Sequence, residues 1–337
     1  MIDIPRKPPI LLSGLALVFV ALGIFVSPEL LIELGPGRAS LTSNNPLTQQ
    51  TARLEITVFR GLCFVAAVVL FGISIWWRRL VASALFKMIA NHPGSYHVGR
   101  GRPAVLNASF YVTFTAWFIG ILYIGFAGHV LPTSVTTPIG TSEGYLEQLT
   151  AVIFLVCSVI FARLAWGYRG HGPTRFFLGL FAFIFFIFVG EETSWGQWVF
   201  GFETLDLMKG INVQDENNLH NMFGYAADHI FIAGVFVYGV AFPLLRAYHP
   251  FWDRLFATIG LPIPSLGLAL GFLPISLTHW WTVGAVVEST VVLRMAELRE
   301  FLVAIAFLTL ASECWTWASR SSQARRSAGH TRQDVLP

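Results

Sequence analysis

Runs of apolar residues close to the roughly 20 needed to cross a bilayer recur along this chain, and they limit its fold more than any other feature. They fall at about 10–26, 57–77, 105–127, 147–167, 176–197, 227–246, 256–278 and 297–317, each bounded by Pro, Gly or charged residues. Backbone N–H and C=O groups cannot stay unpaired in hydrocarbon, so these segments must be helices or the strands of a closed barrel. The runs are continuous and do not alternate with polar residues, which excludes the barrel. The expected fold is therefore all-α, a polytopic transmembrane helix bundle of about eight spans. One integral membrane domain is expected over 1–318, followed by a disordered basic cytoplasmic tail over 319–337.

Orientation follows from the placement of Lys and Arg. Arg6, Lys7, Arg78, Arg79, Lys87, Arg100, Arg102, Arg169, Arg175, Arg246, Arg254, Arg320, Arg325, Arg326 and Arg332 fall in one set of connections, while the other set holds only Arg38, Arg53, Lys209, Arg294 and Arg299. The first set is expected inside, so both termini are expected to be cytoplasmic. The run at Ile10–Val26 is long for the apolar part of a signal peptide, and Val26-Ser27-Pro28 makes a poor cleavage site, so the first span is expected to be retained. A net charge of only +3, spread over short connections, excludes nucleic acid as a partner and leaves membrane lipid. Cys63, Cys157 and Cys314 lie in apolar segments without C-x-x-C spacing, as packed free thiols do.

Polar chemistry is concentrated between Phe188 and Ile230. There Glu191 and Glu192 close an apolar run, and Asn212, Gln214, Glu216, Asn218, His220 and Asn221 crowd the connection that follows. Counted from Phe176 at about 1.5 Å per residue, Glu191 stands about 22 Å up a hydrocarbon core of about 30 Å. An ionisable group at that depth is a functional candidate by default. Glu191, Ser194, Trp195 and Trp198 are expected to share one helical stripe, with Glu192 about 100° round. Adjacent carboxylates in a low dielectric repel, so either one holds a proton or a cation lies between the helices. Arg294 or Arg299 would supply that cation from the protein. A divalent metal held by Glu216, His220 and Glu300 is the alternative, with carboxylate and imidazole types but no diagnostic spacing. Glu297 and Glu300 open the last span, where favourable interaction with the helix dipole also explains them. In N-V-Q-D-E-N-N the polar side chains alternate, so an extended segment would present a row to a sugar or headgroup, and the nearby tryptophans suit either an interfacial belt or ring stacking.

Glu191-Glu192-Thr193-Ser194-Trp195-Gly196-Gln197, followed by Asn212-Val213-Gln214-Asp215-Glu216-Asn217-Asn218-Leu219-His220-Asn221, resembles a motif pair of uncharacterised multi-pass bacterial membrane proteins. Glu297 and Glu300 look like their third acidic element, while Trp198 stands where a basic residue is expected. The resemblance implies a bacterial cytoplasmic (inner) membrane protein and marks a site without naming a reaction. Zinc hydrolases of the ceramidase and adiponectin-receptor type use similar residue kinds, but their paired spacings are missing here. The expected function is an enzyme, a hydrolase or transferase, acting at the outer leaflet on a lipid, lipid-linked or small-molecule substrate. Glu191, Glu192 and His220 would be catalytic, and Trp195, Gln197, Asn212, Gln214, Asn218, Asn221 and Arg294 would bind substrate. A proton- or cation-coupled transporter and a non-catalytic assembly subunit are the alternatives.

Overall fold

The computed structural model describes residues 10–34, 41–42, 44, 46–91, 106–140, 144–204, 217, 225–283, 286–293 and 295–333. Among them every regular element is a helix. Two compact units form, Met1–His92 and Pro93–Pro337.

The first unit contains α1 (Ile10–Phe25), α2 (Pro28–Leu34), α3 (Pro46–Ile75), α4 (Trp77–Ala82) and α5 (Ala84–Asn91). α1 and α3 pack together, with the Phe64 ring 3.0 Å from where a Cβ on Gly23 would stand. Arg60, a cation on an otherwise apolar stretch, donates its Nε–H to the Gly23 carbonyl at 2.8 Å. Gly23 lies in the last turn of α1, where the helix dipole is negative and suits a guanidinium.

The second unit contains α6 (Ala108–Val130), α7 (Thr133–Gly140), α8 (Tyr145–Gly167), α9 (Gly172–Glu192), α10 (Gln197–Phe200), α11 (Tyr225–Phe236), α12 (Phe242–Tyr248), α13 (Pro250–Ile259), α14 (Leu266–Ser276), α15 (Trp280–Val283) and α16 (Met295–Gln333). α16 is its central element, packing on α8, α6 and α14. Leu302, Ala304, Ala306, Leu310 and Ala311 are wholly buried, and small residues there let neighbouring backbones approach. Phe154, Phe161, Phe185 and Phe307 form a continuous aromatic layer between α8, α9 and α16.

Among the described residues six helices are long and apolar enough to cross a membrane: Ala52–Ile75, Ala108–Val130, Tyr145–Gly167, Gly172–Glu192, Ile230–Tyr248 and Met295–Arg320. By length and apolarity they mark a multi-pass membrane protein. Two further apolar helices, Leu12–Phe25 and Leu266–Ser276, are shorter. The second of these departs from the span expected at 256–278. That window divides between α13 and α14, because Gly260 turns the chain at φ 76° and Pro262 and Pro264 cannot continue a helix. With 11 residues α14 is about 16 Å long, roughly half the hydrocarbon thickness.

Gly267 and Gly271, four residues apart, seat α14 on α6. A Cβ at Gly271 would stand 1.8 Å from Thr113 Oγ1, and one at Gly267 would stand 2.2 Å from Asn107 Oδ1. The Ile230–Tyr248 span is also interrupted, by a wider π-type turn at Val237–Ala241. Pro243 has no N–H to give the Gly239 carbonyl four residues back, which is the usual reason for such a turn. Tyr238, inside the turn, donates its hydroxyl to the Pro262 carbonyl at 2.6 Å and so ties this span to the α13–α14 break.

Candidate functional site

Three helix ends meet at one end of the second unit. α9 finishes at Glu192, while α8 and α16 begin nearby and carry Glu147 and Glu297 in their first turns. The carboxylates that act electrostatically on Glu192 are Glu300, then Glu147, Glu297 and Glu191. Glu191, Glu192, Glu297 and Glu300 are candidates from sequence. Glu147 is not, because one acid in the first turn of a helix reads as a response to the helix dipole. Only the antiparallel return of α9 against α8 gives it a second meaning.

The stripe expected along a helix running through Gln197 does not form. α9 ends at Glu192, and the chain enters a left-handed turn at Ser194 (φ 46°), Trp195 (φ 55°) and Gly196 (φ 88°). A non-glycine residue in that region costs about 1–2 kcal/mol, and a bulky one is rare there. The turn lays the Trp195 ring across Gly190, where a Cβ would stand 2.8 Å from Cδ2. From this position the indole Nε1–H donates to Glu191 Oε1 at 2.9 Å. Glu191 is thus engaged by Trp195, whereas Glu192 lies among the acids of the neighbouring helices.

Gln197 joins the two halves of the polar stretch. Its Nε2 donates to Thr204 Oγ1 at 3.0 Å, and its Oε1 accepts the Asn217 backbone N–H at 2.7 Å. Asn217 is buried, with Nδ2 reaching the Glu203 carbonyl at 3.5 Å. This glutamine therefore ties the segment beginning at Glu191 to the segment containing the Asn-rich row. Asn212, Gln214, Glu216, Asn218, His220, Asn221 and Arg294 lie outside the described residues. Of the expected metal set only Glu300 is described, and among the described residues no group of three or more His, Cys, Asp or Glu is placed to hold a metal ion.

Arg299, in the second turn of α16, is 2% exposed, the most deeply buried charged side chain described. Its Nη1 donates to the Thr278 carbonyl at 3.4 Å. Thr278 follows the end of α14, and its hydroxyl accepts the Trp117 indole N–H at 2.9 Å and donates to the Pro274 carbonyl at 2.8 Å. The guanidinium therefore faces the carbonyl end of a half-length helix, where the dipole is negative. Glu297 and Glu300 lie within one turn of it on α16. A charge removed from water needs such compensation, since uncompensated it would cost several kcal/mol.

Further along α16, Glu313 has a different environment. Oε1 accepts hydroxyl hydrogen bonds from Ser109 (2.5 Å) and Ser265 (2.6 Å), and Oε2 accepts the Ser265 N–H at 3.1 Å. Ser265 in turn caps α14 through the Leu268 N–H at 3.1 Å and accepts from Asn107 Nδ2 at 3.0 Å. These bonds clasp the starts of α6 and α14 to α16. Arg163, a further charged residue within a span of this unit, is exposed on α8. The chain matches no protein-family model, no curated protein and no solved structure.

Proposed function

We propose that this protein is a membrane-embedded enzyme, a hydrolase or group transferase, with a one-sided acidic site that acts on a lipid or lipid-linked substrate. Glu192 is the acid–base group, and Glu191 is its charged neighbour. His220 serves as a second acid–base residue, and Asn212, Gln214, Asn218, Asn221 and Arg294 orient the substrate. One observation carries the proposal: Glu192 is surrounded by Glu147, Glu297 and Glu300 at one end of the bundle, while Glu313 at the other end is consumed by a helix clasp. General acid–base chemistry needs a carboxylate whose ionisation is set by neighbours, and a submerged acidic cluster supplies one.

The direct test incubates purified protein in vesicles of total bacterial lipid extract and compares the lipid profile by mass spectrometry with that of Glu192→Gln. A species consumed by the wild type and spared by the variant supports the enzyme. An unchanged profile with folded wild-type protein, repeated with added lipid-linked saccharides, sinks it.

A proton- or cation-coupled transporter is the second reading, and α14 favours it. Half-length helices and irregular backbone at membrane depth characterise transporter sites. Proton uptake into vesicles loaded with a pH-sensitive dye, abolished by Glu192→Gln without any lipid conversion, would select that reading.

A further inference from the structure

We propose that Trp195 is a positioning residue for the acidic site. By holding one oxygen of Glu191, it fixes that carboxylate as a charged acceptor and leaves proton exchange to Glu192. The inference rests on the enzymatic reading of the site. Three observations support it. The indole N–H lies 2.9 Å from Glu191 Oε1, the ordinary length of an N–H···O hydrogen bond. The ring can reach that position only because residue 190 is glycine, since a Cβ there would meet three ring atoms within 2.9 Å. Finally, the backbone adopts positive φ at both Ser194 and Trp195 to deliver the ring. A tryptophan that only anchors a helix at the membrane surface needs none of these features, because an ordinary helical residue provides that contact. Strain of this kind persists where surrounding structure holds a side chain to one task.

The division of labour follows from the neighbours. Glu191 is claimed by a donor on its own segment, while Glu192 is faced by Glu147 from α8 and by Glu297 and Glu300 from α16. Two carboxylates with different surroundings take different roles, one remaining charged and the other exchanging protons.

The test replaces the indole N–H and little else. Incorporating 3-benzothienylalanine at position 195 substitutes sulfur for the N–H and keeps the ring, and Trp195→Phe is the simpler companion. Both should lower kcat for the lipid conversion about tenfold with KM unchanged, and shift the acid limb of the kcat pH profile; an unchanged kcat and profile in the benzothienyl protein overturns the proposal. A second measurement does not depend on finding the substrate. In protein labelled with 5-fluorotryptophan, the 19F resonance lost in Trp195→Phe should move with pH in the wild type and in Glu192→Gln, but not in Glu191→Gln. If it is insensitive to pH, or moves equally in Glu191→Gln, Trp195 does not sense Glu191 and the proposal fails. A wild type that converts no lipid while its resonance follows Glu191 rejects the enzymatic reading and keeps the Trp195–Glu191 pair.

Discussion

Gly190 is where the chemistry of the candidate site depends most directly on one residue type. An added Cβ would stand 2.8–2.9 Å from Trp195 Cδ2, Cε2 and Cε3, closer than real contacts allow. The ring would have to leave, taking the indole N–H away from Glu191. Gly190→Ala is therefore expected to lose about 1–3 kcal/mol of stability, the usual cost of overpacking, read as a lower melting temperature in detergent. Gly179→Ala on the same helix is the control, because its nearest neighbour is 4.0 Å away. Equal melting of the two variants would refute the packing argument. The acids at 191 and 192 are visible in sequence because charged residues in an apolar run stand out. Their different neighbours are not, since these depend on a backbone reversal at Ser194–Gly196 that no helical periodicity foretells. Glu147 escapes for a related reason: it looks ordinary on its own helix, and acquires its surroundings only when α8, α9 and α16 meet.

At the scale of elements, the six long helices follow from length and apolarity alone. α14 does not, because 256–278 is apolar throughout and differs from a span only in where Gly260, Pro262 and Pro264 fall. What fixes α14 is close backbone approach to α6. Gly271→Ala would put a Cβ 1.8 Å from Thr113 Oγ1 and 2.6 Å from Thr113 Cβ. The expected loss is at least about 1–3 kcal/mol, and Thr113→Ala should rescue only part of it, since that Cβ remains. Full rescue by Thr113→Ala would mean that the hydroxyl alone sets the fit. A second prediction concerns α2. Its first-turn Glu29 has a carboxyl pKa below the ordinary value, held there first by a backbone N–H and then by the Ser27 hydroxyl. A lowered folded pKa means stabilisation that is present above the unfolded value and is lost as pH falls through the folded one. The protection factors of the α2 amides, corrected for the intrinsic slowing of exchange in acid, should therefore fall on acidification below the usual carboxylate range, and Glu29→Gln should flatten that dependence. Unaltered pH sensitivity in the variant would assign it to another group.

Acids and arginines separate between the two ends of the second unit, and that separation carries a prediction about the face of the membrane on which the site would open. In the second unit the acids Glu147, Glu191, Glu192, Glu297 and Glu300 cluster where α8, α9 and α16 meet, whereas Arg169 lies in the connection after α8, Arg175 in the first turn of α9, Arg246 in the last turn of α12 and Arg254 in α13. On the positive-inside rule the arginine end is expected in the cytoplasm and the acidic end outside. An enzyme facing outward would meet lipid-linked substrates there, while a carrier would have to open both ways. The orientation can be measured directly. With Cys63, Cys157 and Cys314 replaced by alanine, Glu203→Cys should react with a membrane-impermeant maleimide in intact cells, and Arg169→Cys should react only after permeabilisation. Both residues are exposed, so access and not burial governs labelling. The reverse pattern would place the acids in the cytoplasm and remove the outer-leaflet substrate from consideration. Labelling of Glu203→Cys that is lost when the cells are energised would instead indicate alternating access, and would give the transporter the stronger claim to the same carboxylates.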